Sequence, residues 1–530
     1  MEELNLIDLD SIYRPVDSEA ILEIGLDNWL YKNDWPVSEV EFAEFVDCVL
    51  QSYNLLCTRP ETTIRDLFYI DHQIIVYLIQ IAHANLVKLR SKKVLSLEEK
   101  HSRKYFFPKF DRDLSNNIIP LDRNFLKSLH LHFRSIFKTL FFNFYLGPID
   151  LFRGISRKSN VWSVGAESEQ KIEFIKKNRS FCRFLYVENI LSSNSGNVSI
   201  KEPHKKIKSY ISSFFRDIEK RYPEFLNGID TKILKTAWHD RLAKLNLNYQ
   251  TILQLKDLPQ VLYVSNVASP MHKLFSLALL RKGVEVNGFN HGNNMMLVLH
   301  KHISLTELSH FTNFICFSKK SAIYFNKIYL ESKLSKIRHV NFLYMESSYY
   351  KKLLSKSIRE QPKKIIKEVV LMGYPSHSFR YLSGVSHYGN LMVDLEIKIA
   401  KNLKSLGYTA VYQAHPEAEP STIKIISDYF DDIRVGNFER NMDEADAFIF
   451  TYTSTTTFHY SLCSDKHIIL ISHSGERWNK DSFPLLKKRC NIVTANNDHN
   501  NLVEFDLNEF ESSLKHPISF TYDYVNEIMI

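Results

Sequence analysis

The chain has 530 residues, more than one hydrophobic core usually serves, so roughly two to four domains are expected. Its composition is globular: 44% hydrophobic and 24% charged, with 15 Gly and 16 Pro, which excludes fibrous and low-complexity classes. A formal charge of +8 suits a phosphorylated ligand or an anionic membrane surface and falls short of the dense basic stripe of a nucleic-acid binder, so no nucleic-acid partner is expected.

The start, Met1-Glu2-Glu3-Leu4-Asn5, is acidic and lacks the basic and apolar regions of a signal peptide. Residues 1–250 read as a mostly helical N-terminal region. Ser38 with Glu41 three residues on predicts a capping box opening a helix. Residues 64–89 carry apolar side chains on most turns, and 92–113 read as a charged, solvated connection. Residues 125–152 mix aromatics with His130, His132, Arg134 and Lys138. This stretch reads first as a core helix, and alternatively as a basic amphipathic helix lying on a membrane. Ser192-Ser193-Asn194-Ser195-Gly196-Asn197 has the chemistry of a loop.

From about residue 258 the rhythm changes. Residues 260–265 read as a buried strand, Ser269-Pro270 opens a helix that stops at Gly283, and 284–289 read as a strand leading to Asn290-His291-Gly292. Residues 314–317 add a strand followed by a helix. A second series has strands at 368–373, 408–412, 433–435, 447–450 and 467–471, with helices at 391–406 and 421–430 and a possible last strand at 492–493. Alternating strands and helices predict α/β architecture with parallel sheets. The expected domains are the helical region 1–250, a Rossmann-like acceptor domain at 251–360 and a Rossmann-like nucleotide-sugar domain at 361–530.

No uncharged apolar run reaches the ~18–20 residues of a membrane span. Six scattered cysteines without CxxC spacing point to buried thiols in a reduced, cytoplasmic protein. Walker A, GxGxxG, HExxH and GxSxG motifs are absent, and Asp-x-Asp occurs only in the helical region. No cofactor and no metal are therefore expected.

Two polar motifs follow strand ends, where ligands of open parallel sheets sit. In Gln413-Ala414-His415-Pro416-Glu417, a His held by Pro416 can donate to a phosphate oxygen or simply cap a carbonyl. In Thr451-Tyr452-Thr453-Ser454-Thr455-Thr456-Thr457, the hydroxyls at a helix start can hold an anion or only cap the helix. His291-Gly292 offers a general base beside a residue that lets a ligand approach closely. The 373–389 loop carries His377, Arg380 and His387, of which Arg380 can clamp a phosphate. His473-Ser474-Gly475 follows another strand end and is a further cleft candidate.

Together these residues, over about 258–500, resemble the GT-B class of bacterial surface-polysaccharide glycosyltransferases. The likeness is to Kdo transferases of capsule, O-antigen and lipopolysaccharide assembly, to bacterial sialyltransferases, and to polyol-phosphate transferases of the teichoic-acid type. It implies two facing Rossmann-type domains with a helical N-terminal elaboration, and a metal-independent transfer in the cleft. By that likeness His415 and Pro416, with Ser454 and Thr455, would contact the donor phosphates, and His291-Gly292 would form the catalytic-base loop; Thr456, Arg380, His377 and Gly292 are further substrate-binding candidates by their placement. The partners implied are a nucleotide-sugar donor, such as a CMP-Kdo-like one, and a polysaccharide or lipid-linked glycan acceptor, with peripheral contact at the inner face of the cytoplasmic membrane. Alternatives are a CDP-polyol phosphotransferase, a non-catalytic scaffold in polysaccharide assembly, and a sugar-nucleotide epimerase or hydrolase of the same shape. The sequence departs from the family where relatives place a ribose-binding Glu and this chain has His459, and it offers no motif for a catalytic carboxylate.

Overall fold

The computed structural model describes residues 14–16, 18–31, 34–91, 94–95, 125–147, 151, 160–193, 204–265, 269–290, 296–298, 303–358, 365–374, 389–416, 418 and 420–530. Its architecture is α/β, with two mostly parallel sheets flanked by helices. Strands β1 (Arg14–Pro15) and β2 (Val94–Leu95) form a small parallel pair. The first large sheet holds β3 (Val161–Val164), β4 (Cys182–Phe184), β5 (Val261–Val264), β6 (Glu285–Phe289), β7 (Asn313–Cys316) and β8 (Asn341–Tyr344). The second holds β9 (Glu368–Met372), β10 (Thr409–Gln413), β11 (Asp432–Arg434), β12 (Ala447–Phe450), β13 (His467–His473), β14 (Asn491–Asn497) and β15 (Val503–Phe505).

The first sheet runs in the order β4-β3-β5-β6-β7-β8, parallel throughout. The second runs β11-β10-β9-β12-β13-β14-β15, with only β15 antiparallel. Helices cover both faces of such sheets, so the central strands are apolar without alternation. The Ala-Phe-Ile-Phe of β12 is buried at every position, and β13 through Ser472 likewise.

The boundary expected at residue 250 is corrected here. β3, which like β4 precedes it, pairs with both β4 and β5 in one sheet, so the first Rossmann-like unit begins by residue 161. The helices Glu39–Leu56, Thr62–Ile70, Gln73–Arg90 and Thr231–Leu253 share that unit's apolar core. The apolar stretch 64–89 is interrupted at Asp71, whose buried carboxylate turns inward to Arg241. Ser38 caps its helix as the sequence predicts, accepting from Glu41 N at 3.3 Å. The Glu41 carboxylate lies on Arg90.

The two units pack directly on each other. Asn479 N donates to Leu297 O (2.8 Å), and Ser482 Oγ donates to Met296 O (2.7 Å). The end of the chain returns to the first unit, where Ser318 Oγ donates to Ile528 O at 2.6 Å. All six cysteines are buried and free.

Candidate functional site

In the second sheet the strand order reverses between β9 and β12: the chain adds β10 and β11 on one side of β9, then crosses to add β12 to β14 on the other. At such a switch point the loops leaving neighbouring strands diverge and open a crevice beyond the carboxyl ends. A cavity of about 340 Å³ occupies this place, a volume within the range of small-molecule sites. Its lining comes from Gly373 after β9, Gln413, His415 and Pro416 at the end of β10, Asn437 and Glu439 after β11, and Tyr452 with 454–457 after β12.

Each wall has its own support. The buried Gln413 amide donates to Arg434 O (3.3 Å) and Gly436 O (3.2 Å), tying the β10 exit to the β11 exit. Ala418 N donates to His415 O (2.9 Å), closing the turn that presents the half-buried His415 ring. Tyr452 Oη donates to Gly373 O (3.1 Å), linking the β12 and β9 exits. Below them the fully buried Glu396 accepts from Tyr374 N (2.6 Å) and Tyr412 Oη (3.2 Å). Burial pushes its carboxyl up to about 8, against those two hydrogen bonds.

Thr455 is the N-cap of the Thr456–Leu462 helix, its hydroxyl accepting from Thr457 N at 3.3 Å. Ser454 and Thr456 stay partly exposed on the cavity wall. His415 is the one side chain among the described lining residues that can carry positive charge, and Glu439 the one that can carry negative charge.

The structure therefore brings together His415, Pro416, Ser454, Thr455 and Thr456. His291, Gly292, His377 and Arg380 lie outside the described residues. Two other histidines are assigned elsewhere. His459 is fully buried, with Nε2 3.3 Å from Tyr524 Oη and Nδ1 3.5 Å from Thr455 O, and burial pulls its pKa down to about 4. It belongs to the core between helix and chain end. His473 pairs with Glu39 at 2.9 Å and braces the N-terminal helices against the second sheet.

Two carboxylates escape the motif search. Glu439 sits on the short Phe438–Asn441 helix after β11. Glu169 opens the Glu169–Lys177 helix capped by Ser168, just beyond β3, at the switch point of the first sheet, where the order reverses between β3 and β5. Partial desolvation, then repulsion from Glu439 and Glu173, pushes the Glu169 carboxyl up to about 7 although the side chain is still solvent-exposed, so a carboxylate of the first unit feels one that lines the cavity of the second. Tyr349 of the first unit and Tyr460 of the second meet edge to face at 5.2 Å beside them. Burial, with Glu169 next, pushes Tyr349 up to about 12. The available signal was the apolar run Val161-Trp162-Ser163-Val164 ending at Gly165 and followed by a Ser-Glu helix start.

No family model, no curated protein and no solved structure matches this chain.

Proposed function

We propose that the chain is a metal-independent glycosyltransferase of GT-B type, taking a nucleotide-activated sugar in the cavity of the second sheet. The observation that carries this reading is the cavity's place and lining. It lies at the switch point of a 3-2-1-4-5-6 parallel sheet and combines an imidazole, hydroxyls and a carboxylate. Hydrogen-bond donors from His415, Ser454 and Thr456 suit phosphate oxygens. Glu439 supplies an acceptor for ribose hydroxyls, the role that His459 is too buried to fill.

In this scheme the acceptor glycan enters from the first unit. Glu169 takes the proton of the acceptor hydroxyl as its oxygen attacks the anomeric carbon, and the bond from that carbon to the donor phosphate breaks. The electron pair leaves on the phosphate, where His415 and the hydroxyls meet the new charge. A carboxylate titrating near neutrality is matched to this task. His291, the base implied by the family resemblance, is the competing assignment.

The test is a donor panel of CMP-, CDP-, UDP- and GDP-activated sugars with glycan acceptors, reading the released nucleotide by mass spectrometry. One donor should be consumed only when acceptor is present, with His415→Ala slower by roughly 10²–10³-fold if it stabilises the leaving charge. CMP release from a CDP-polyol would move the reaction to phosphorus, as in the polyol-phosphate transferases. No turnover of any donor would leave the scaffold reading.

A further inference from the structure

The helix Phe125–Asn143 and the turn Phe144–Leu146 that follows carry an apolar stripe that, among the described residues, nothing covers. Phe133, Ile136, Phe137, Leu140, Phe141 and Phe144 recur at spacings of three and four, so they share one face. Among the described residues they remain exposed, from 39% for Leu140 to 80% for Phe144. A helix on a soluble core would turn this face inward, as the sequence reading first expects. The structure corrects that expectation.

The opposite, polar face explains why. Strand β4 is the edge of the first sheet and leaves backbone groups unpaired. Ser135 Oγ donates to Phe184 O, and Phe184 N donates to Thr139 Oγ1 at 3.0 Å. Asn143 Nδ2 donates to Cys182 O at 2.7 Å, and Cys182 N donates to Asn143 Oδ1 at 2.9 Å. Residues 135, 139 and 143 thus stand in for a further strand. Rolling the helix to bury its aromatics would strip β4 of these partners, so the apolar face is fixed outward.

Charge selects what covers it. The helix sequence contains Lys127, Arg134 and Lys138, with His130 and His132, and no Asp or Glu. Arg134 is exposed, and Lys138 is held by Glu167 at 2.8 Å. A second copy of the same face would set cation against cation. An anionic bilayer offers both an apolar layer for the aromatics and negative headgroups for the flanking cations. No helix among the described residues is long and apolar enough to cross a membrane.

We propose that this inverted helix docks the protein flat on an anionic lipid surface, with Phe137 and Phe141 inserted below the headgroups. Docking stands apart from the activity assigned above, because the helix lies on the edge strand of the first sheet and the nucleotide cavity belongs to the second.

The experiment is vesicle flotation of the full chain with phosphatidylcholine alone and with phosphatidylcholine mixed with phosphatidylglycerol, together with light scattering in solution. The full chain should float with the anionic vesicles and not with the neutral ones. Phe137→Ser/Phe141→Ser should lose at least roughly tenfold in apparent affinity, since each buried aromatic contributes strongly. Both sites are exposed, so the melting temperature and nucleotide binding of the variant should match the parent. Arg134→Gln should weaken binding less and reduce its salt dependence. Failure to float with anionic vesicles would overturn the proposal. So would equal binding by the double variant, or a solution dimer that the double variant dissolves, which would identify the occupant as a second copy.

Discussion

Gly165→Ala tests the stretch of chain that aims Glu169. Gly165 follows β3 at φ +85°, and an added Cβ would overlap the Ser265 carbonyl oxygen and lie 2.9 Å from its carbon. Ser265 N donates to Val164 O at 3.3 Å, so this backbone cannot retreat without parting β3 from β5. The left-handed conformation costs a non-glycine residue ~1–2 kcal/mol, and overpacking ~1–3 kcal/mol more. Gly283→Ala is the matched control: its φ is +80°, but nothing lies within 4 Å of its added Cβ, so it incurs the first cost alone. At an unfolding entropy of ~2.1 cal/mol/K per residue, about 3 kcal/mol lowers the Tm of a chain this long by about 3 °C. Scanning calorimetry should therefore show a drop of about 2–4 °C for Gly165→Ala and about 1–2 °C for Gly283→Ala. Gly165→Ala should also slow transfer while leaving nucleotide affinity unchanged, because the nucleotide cavity belongs to the other sheet. Equal Tm shifts in the two variants would refute the packing argument, and a lost nucleotide affinity would refute the division of labour.

Further outcomes follow from particular side chains. If Glu169 is the base, kcat/KM should rise with pH and level off above about 7, and Glu169→Gln should flatten the profile while the nucleotide still binds. Glu396 has a folded pKa of about 8 against an ordinary 4.5, so the folded state binds the extra proton between those values. Its contribution to stability falls as pH rises through that window, and urea titrations of Glu396→Gln should gain on the parent with rising pH. Asp66 is fully buried and accepts from Arg281 (2.9 Å) and Tyr249 (3.0 Å), and it also pairs with Arg338. Asp66→Ala removes the carboxylate from the largely buried Arg338 and Tyr249, while the more exposed Arg281 turns to water, and should cost about 3 kcal/mol in denaturant unfolding.

The central strands of the second sheet were legible because β9, β10 and β12 are buried on both faces and read as apolar runs, with β12 matching its expected bounds at 447–450. The start of the first sheet was not. β4 is three residues long with an exposed Arg183 at its centre and does not rise above its helical surroundings, and β3 mixes Trp162 and Ser163 among valines, so its one cue is the Gly165 break and helix start that follow it. Glu169 was hidden with them, since its significance depends on which strand precedes it. For the 125–143 helix the sequence gives the stripe but not its direction. That is decided by hydrogen bonds from Ser135, Thr139 and Asn143 to an edge strand whose place only the folded sheet reveals. In the C-terminal motifs, the strand-end placement of His415 and Ser454 was readable, whereas the burial of His459 depends on Tyr524 packing back from the end of the chain.

Hydrogen–deuterium exchange with and without saturating CMP, CDP or UDP bears most directly on the central claim, that the switch-point cavity of the second sheet is the nucleotide site. One nucleotide should slow exchange at 413–416, 436–439 and 452–457, and His415→Ala should abolish that protection. Protection confined to the first sheet, or none with any nucleotide at millimolar concentration, would contradict it.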